Sequence, residues 1–297
     1  MIIEASRKSA KEILFTKLAA YAAFTKLRLT FLVVVSSVIG YAIGAQSFSW
    51  LMAFWLSVAG FLVTGASNGF NQVIEKDLDA LMKRTESRPI PIGTMSVLEG
   101  LILASVMGVL GLVLLYLAFN PLAAVLGGLA LFSYVLIYTP LKRITPLAVF
   151  VGAFPGAIPP MLGYVAATGA FDLYAGLLFA VQFVWQFPHF WAIAWVSHQD
   201  YAKAGYHLLP SKGGRDSQSA FLTMLYALFL IPVGLLPWAF GLNGNIAAVG
   251  TAILAVGFAF PAIQLYLKKT DNAARTVMFA SFLYLPLVQL IFLFDKM

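Results

Sequence analysis

Asn71, Glu75 and Asp79 stand at positions i, i+4 and i+8 of one run. At about 100° per residue they would share a helix face within roughly 80° of arc, and Asn68 falls on the same face. The row ends an apolar stretch long enough to cross a bilayer, where carboxylates are costly and mark function. Lys83, Arg84 and Arg88 follow directly. A row of hard oxygen ligands suits Mg2+, which commonly shares its coordination with substrate phosphates. Guanidinium forks and an ammonium suit the phosphate oxygens. The chemistry expected is therefore capture of a Mg2+-bound oligophosphate. A solvated helix end with i,i+4 charge pairs would explain any one of these charges, but not the whole cluster. Asp77 falls on the opposite face and ranks lower.

Two further groups are candidates. In Tyr138-Thr-Pro-Leu-Lys142-Arg143, Tyr138 and Lys142 lie at i, i+4, although Pro140 disturbs regular helix. Taken alone, this group reads sooner as an interfacial tyrosine beside topology-setting cations. The third group is Pro188-His189-Phe190, followed by His198, Asp200, Tyr201, Lys203 and Gly205. With His207 it holds all 3 histidines of the chain. A histidine in a spanning segment is either a hydrogen-bonded core residue or a ligand of a metal or porphyrin iron, and spacing leaves both readings open.

The elements that must position these residues are set by composition. Of 297 residues, 61% are hydrophobic and 10% charged, and the mean hydropathy is +0.89. A soluble domain carries about 25% charged residues, so lipid is the expected solvent here. The absence of cysteine excludes disulfides, thiolate metal sites and thiol catalysis. Apolar runs near 29–45, 49–70, 97–118, 121–140, 146–168, 173–197, 218–240, 244–267 and 275–294 are 9 candidate spans. Asn120-Pro121 is a tight turn between two of them. The prolines and glycines of 146–168 predict a kinked helix whose neighbours satisfy the freed backbone groups. The expected fold is all-α: one integral membrane bundle of nine transmembrane helices, a single domain over 1–297 with residues 1–26 as a cytoplasmic N-terminal segment.

Assigning loops alternately to two sides puts 18 of the 19 Lys and Arg residues on one side and leaves Lys296 opposite. The positive-inside rule then predicts a cytoplasmic N-terminus and an external C-terminus, which requires an odd number of spans. The net charge of +7 therefore reads as membrane topology and not as a nucleic-acid surface. Lys17, Lys26 and Arg28 interrupt the N-terminal apolar stretch, so no cleavable signal is expected. Residues 9–25 suit an interfacial amphipathic helix. The long loops, roughly 71–96 and 198–217, lie on the cytoplasmic side, where function is expected.

These residues together resemble the UbiA superfamily of intramembrane prenyltransferases. Its N-x-x-x-D-x-x-x-D element matches Asn71, Glu75 and Asp79, with Glu75 replacing the usual Asp. Its Y-x-x-x-K element matches Tyr138 and Lys142. The runs N-Q-V-I-E-K-D-L-D-A-L-M-K-R-T-E-S-R-P (71–89), Y-T-P-L-K-R (138–143), W-Q-F-P-H-F-W (185–191) and D-Y-A-K-A-G-Y-H-L-L-P (200–210) are similar to a haem-farnesylating branch of that superfamily. The superfamily normally has a second acidic motif with paired aspartates. Here Asp200 stands without a partner, which suits orienting Lys203 or a ligand-bearing loop.

The resemblance implies transfer of farnesyl from farnesyl diphosphate to a vinyl group of haem B, with water addition, giving haem O for terminal oxidase biogenesis. Asn71, Glu75 and Asp79 would hold Mg2+. Lys83, Arg84, Arg88, Tyr138, Lys142, Arg143, Asp200 and Lys203 would bind substrate, and His189 would contact haem or handle a proton. Membrane lipid would surround the bundle. Haem A synthase or terminal oxidase assembly proteins would be partners, in the cell inner membrane. Two alternatives stay open. One is an intramembrane prenyltransferase acting on an aromatic quinone precursor. The other is a cation or proton-coupled transporter, which fits intramembrane acids and repeat-like organisation but not the crowding of charge at one interface.

Overall fold

The computed structural model describes residues 10–297. Among these, regular structure is helical: α1 (Ala10–Phe24), α2 (Leu27–Gly44), α3 (Trp50–Ile74), the short α4 (Lys76–Asp79), α5 (Val97–Ala118), α6 (Pro121–Leu141), α7 (Ala148–Thr168), α8 (Leu173–Val196), the short α9 (His198–Lys203), α10 (Ser217–Ala239), α11 (Asn245–Lys268) and α12 (Asp271–Phe294). Nine of them are long and apolar enough to span a bilayer. They coincide with the expected runs to within a few residues, and the chain is an integral, multi-pass membrane protein. The expected helix over 9–25 is present as α1; residue 9, with Arg7 and Lys8 of the charge count, lies outside the described residues.

Polar residues in the turns start the helices. Ser49, Asn120, Asp172, Asp216 and Thr270 each accept a hydrogen bond from a backbone N–H of the first turn. Ser96 and Glu99 form a reciprocal capping box at α5. Pro121 occupies the first turn of α6, where its missing N–H costs nothing. Asn120 also donates to Val165 O at 2.9 Å, tying the expected α5–α6 turn to α7.

Burial separates central helices from lipid-facing ones. In α7 78% of the span is buried and in α8 67%, against 28–44% in the others. The exposed apolar side chains of the outer helices, such as Leu98, Leu117, Ile246 and Phe260, are what lipid requires. α2 and α7 touch backbone to backbone. A Cβ on Gly163 would lie 1.8 Å from Ser37 O, and one on Gly40 would lie 2.0 Å from Pro160 O, so small residues permit the contact.

α7 runs through Pro155, Pro159 and Pro160 as one helix. Pro160 has no N–H for Gly156 O, and that carbonyl instead accepts from Gln182 Nε2 at 2.6 Å. Gln182 Oε1 in turn accepts from Ser36 at 3.1 Å and Gln289 at 2.8 Å. A buried polar knot thus joins α2, α7, α8 and α12, as hydrocarbon demands of freed backbone groups.

Candidate active site

The acid row does not lie on one unbroken helix. α3 ends at Ile74, Glu75 adopts φ −97° and ψ 10°, and α4 begins at Lys76. The hydrogen-bond ladder nevertheless continues, Glu75 N to Asn71 O at 3.0 Å and Asp79 N to Glu75 O at 2.8 Å. Asn71, Glu75 and Asp79 therefore still point the same way, and all three are buried. Asp77 is exposed, pairing with Lys76.

Each member of the row meets a cation. Lys142 Nζ lies 2.5 Å from Glu75 Oε1, and Arg88 Nη1 donates to Asp79 Oδ2 at 2.6 Å. Lys26 Nζ donates to Asn71 Oδ1 at 3.4 Å, while Asn71 Nδ2 donates to Glu75 Oε2 at 2.8 Å and Thr139 Oγ1 at 3.3 Å. Three cations thus face two carboxylates. Burial and the neighbouring Arg88 and Lys142 hold the Lys26 ammonium well below its usual pKa. Burial also lowers Lys142, against the pull of Glu75, and lifts the Asp79 carboxyl against the pull of Arg88. The site is short of anionic charge.

Unspent hydrogen-bonding capacity points the same way. Asp79 Oδ1 is buried with no hydrogen-bond partner. Glu75 Oε1 is engaged by Lys142. Among the described residues no cluster of three or more acidic, His or Cys side chains could close a metal site alone. Two carboxylates with an amide oxygen fit Mg2+, provided phosphate oxygens and water complete its shell.

Tyr138 and Lys142 do share a face. A π-helical turn over Ser133–Tyr138, with Thr139 Oγ1 bonded to Tyr134 O at 2.9 Å, carries α6 into the turn containing Pro140. Lys142 Nζ then lies between two rings, 5.1 Å from the centroid of Tyr138 and 5.2 Å from that of Tyr206. His207 N donates to Lys142 O at 3.2 Å, so the loop after α9 is fastened to this lysine.

Asp200 turns both oxygens to the other loop. Oδ1 accepts from Lys83 N at 2.9 Å and Oδ2 from Arg84 N at 3.1 Å. Burial raises its carboxyl, but those N–H groups and Lys203 outweigh it and hold the pKa below the usual range. The Arg84 guanidinium lies 5.4 Å from the centroid of the Tyr201 ring. Lys83, Arg143 and Lys203 are exposed.

His189 is buried in α8 and belongs to a different cluster. It stacks on Trp185 at 4.4 Å, and its Nδ1 lies 2.7 Å from Ser281 Oγ of α12. Ser281 Oγ already donates to Met278 O at 2.6 Å. That assigns the imidazole hydrogen to Nδ1 and leaves a lone pair on Nε2.

Sequence reasoning passed over Lys26, Thr139 and Tyr206. Lys26 looks like a topology lysine before the first span, and its left-handed backbone (φ 50°, ψ 56°) is what turns it inward.

Comparison with known proteins gives the family and the fold. Residues 33–285 match the UbiA prenyltransferase family. The protoheme IX farnesyltransferase of Christiangramia forsetii is 48% identical over 284 residues, 94% of each chain. That of Cytophaga hutchinsonii is 45% identical over 93% of this chain and 97% of its own. Among solved structures, a digeranylgeranylglyceryl phosphate synthase superposes with TM-score 0.78 at 20% identity, covering 94% of this chain and 98% of its own. A UbiA homologue from Archaeoglobus fulgidus bound to GPP and Mg2+ gives 0.68 at 13% identity, covering 92% and 99%. These two likenesses are of fold. With the family's pattern spanning most of the chain and relatives near half identity along its length, the protein belongs to the UbiA prenyltransferase family.

Proposed function

We propose that the protein transfers the farnesyl group of farnesyl diphosphate to a vinyl group of haem B, with addition of water, to give haem O. The observation that carries this reading is the buried row of Asn71, Glu75 and Asp79, with one carboxylate oxygen unpartnered and Lys26, Arg88 and Lys142 crowded around it. Relatives near half identity that act on protoheme IX supply the acceptor.

Asn71, Glu75 and Asp79 would hold Mg2+, which when bound neutralises diphosphate charge and favours its departure. Arg88, Lys142 and Lys26 take up the negative charge that grows on the leaving oxygen as the allylic C–O bond breaks. Arg84, on a loop fixed by Asp200, extends that cationic surface to the rim. Burial keeps water from the allylic cation, and the faces of Tyr134 and Tyr138, 5.2 Å apart, stabilise it. The vinyl terminus of haem forms the new C–C bond. Water adds to the resulting cation beside the ring and releases its proton to solvent. The distribution of Lys and Arg supports insertion in the cell inner membrane with the active site cytoplasmic and the C-terminus external.

Mass spectrometry of haem extracted after expression in cells lacking their own haem prenylation tests the reading. Appearance of haem O is expected. Haem B alone, despite correct membrane insertion, would overturn it and favour a quinone-type acceptor.

A further inference from the structure

Beside the diphosphate site, on the same face of the bundle, lies a cavity of about 530 Å3. That is within the usual size of cofactor and ligand sites. Its lining includes His198, Ala202, Tyr206, His207, Leu208 and Lys212, and contains no carboxylate. Tyr206 is the shared wall, since the same ring lies against Lys142 at 5.2 Å. The cavity is thus one aromatic side chain from the ammonium that faces Glu75.

The walls are built to hold their shape. Ser211 Oγ donates to Asp216 and accepts from Gly213 N at 3.0 Å, and Ser211 N donates to Ser219 Oγ at 3.3 Å. Gly214 has φ +75°, and a Cβ there would lie 2.8 Å from His198 Cε1. Glycine therefore permits both the turn and the close approach of the imidazole. Burial first, and Arg215 second, lower the pKa of His198 against the pull of Asp271, so its ring is neutral and has a lone pair to offer at physiological pH.

Resting on the haem reading above, we propose that this cavity seats the tetrapyrrole, with His198 as an axial ligand to iron, Lys212 at the rim pairing with a propionate, and the vinyl-bearing edge turned toward Tyr206. Three features fit together. An apolar wall of Leu208, Leu209 and Pro146 suits the macrocycle, a neutral imidazole suits iron, and a cation at the watery side suits a carboxylate. Haem carries its vinyl groups on the edge away from the propionates, so a propionate held at Lys212 directs the reacting edge inward.

The test uses the full-length protein in detergent, titrated with haem B and followed by its Soret absorption. The wild type is expected to show a histidine-ligated spectrum. His198→Ala should lose it, and added imidazole should restore it, a response that a purely structural role would not give. Ala202→Trp, which fills the cavity, should lower haem binding and haem O formation together. In both variants Mg2+-dependent binding of farnesyl diphosphate should persist, which shows that the fold is intact. A histidine-ligated spectrum and haem O yield unchanged in both variants would overturn the seat while leaving the reaction standing. Failure of the wild type to form haem O would overturn the reaction itself.

Discussion

Asp200 is the residue whose replacement discriminates most sharply between two ways of building this site. If it holds a second metal ion, its loss changes the Mg2+ requirement. If it is the clamp seen here, its loss frees the loop carrying Arg84 and Arg88. Asp200→Ala removes the acceptors for Lys83 N and Arg84 N, at 2.9 and 3.1 Å. Hydrogen bonds to a charged group are worth about 1.5–3 kcal/mol each. The carboxylate side chain is 18% exposed, so water replaces part of what is lost, and the low end applies, about 3 kcal/mol for the pair. If the loop must reorder when diphosphate binds, the full amount appears in affinity, a weakening of about 100-fold. Asp200→Asn keeps one acceptor oxygen and should lose roughly tenfold. Lys203→Ala, which removes only an exposed pairing, should change affinity by less than about threefold. The assay is calorimetric titration of the purified protein with farnesyl diphosphate at saturating Mg2+, with the half-saturating Mg2+ concentration measured separately. Unchanged affinity in Asp200→Ala, or a shifted Mg2+ requirement with affinity intact, would refute the clamp.

Asp79→Asn should abolish transfer while the protein still inserts and folds, since the amide oxygen can still accept from Arg88; full activity in a haem O assay would remove Asp79 from the metal site. Lys26 and Lys142 are held below the ordinary lysine range and must be charged to grip diphosphate, so kcat/KM should be fully expressed below their lowered pKa values and fall as pH rises through them. A pH–rate profile flat to the usual lysine value of about 10.4 would contradict this. Gly163→Ala places a Cβ 1.8 Å from Ser37 O, a backbone atom that cannot swing aside, so the α2–α7 contact must open and the melting temperature and membrane yield should drop sharply; near-wild-type stability would show that the contact is looser than drawn.

The parts of this architecture that were legible in the sequence are those written in short-range pattern. Apolar lengths fix the nine spans because the bilayer fixes how long a helix must be. The i, i+4, i+8 spacing brings Asn71, Glu75 and Asp79 together even though the helix breaks at Glu75, because the hydrogen-bond ladder carries on across the break. What escaped depends on contacts far apart in the chain. Asp200 meets Lys83 and Arg84 across more than a hundred residues. The missing second acid suits an orienting role for Asp200, but nothing local says which loop it holds. Lys26 is inward only because its backbone is left-handed, and Tyr206 is part of the site only because its loop is fastened to Lys142. Gln182 reads as an isolated polar residue until the carbonyl freed by Pro160 is found opposite it.

The central claim, that a divalent ion on the acid row lets a membrane-dissolved prenyl diphosphate ionise toward haem, is tested most directly by incubating purified protein with labelled farnesyl diphosphate and haem B, with Mg2+ or with a chelator. Labelled haem O and free diphosphate should form together with Mg2+ and neither with chelator. Turnover in chelator, or diphosphate release with the label never reaching haem, would contradict the account.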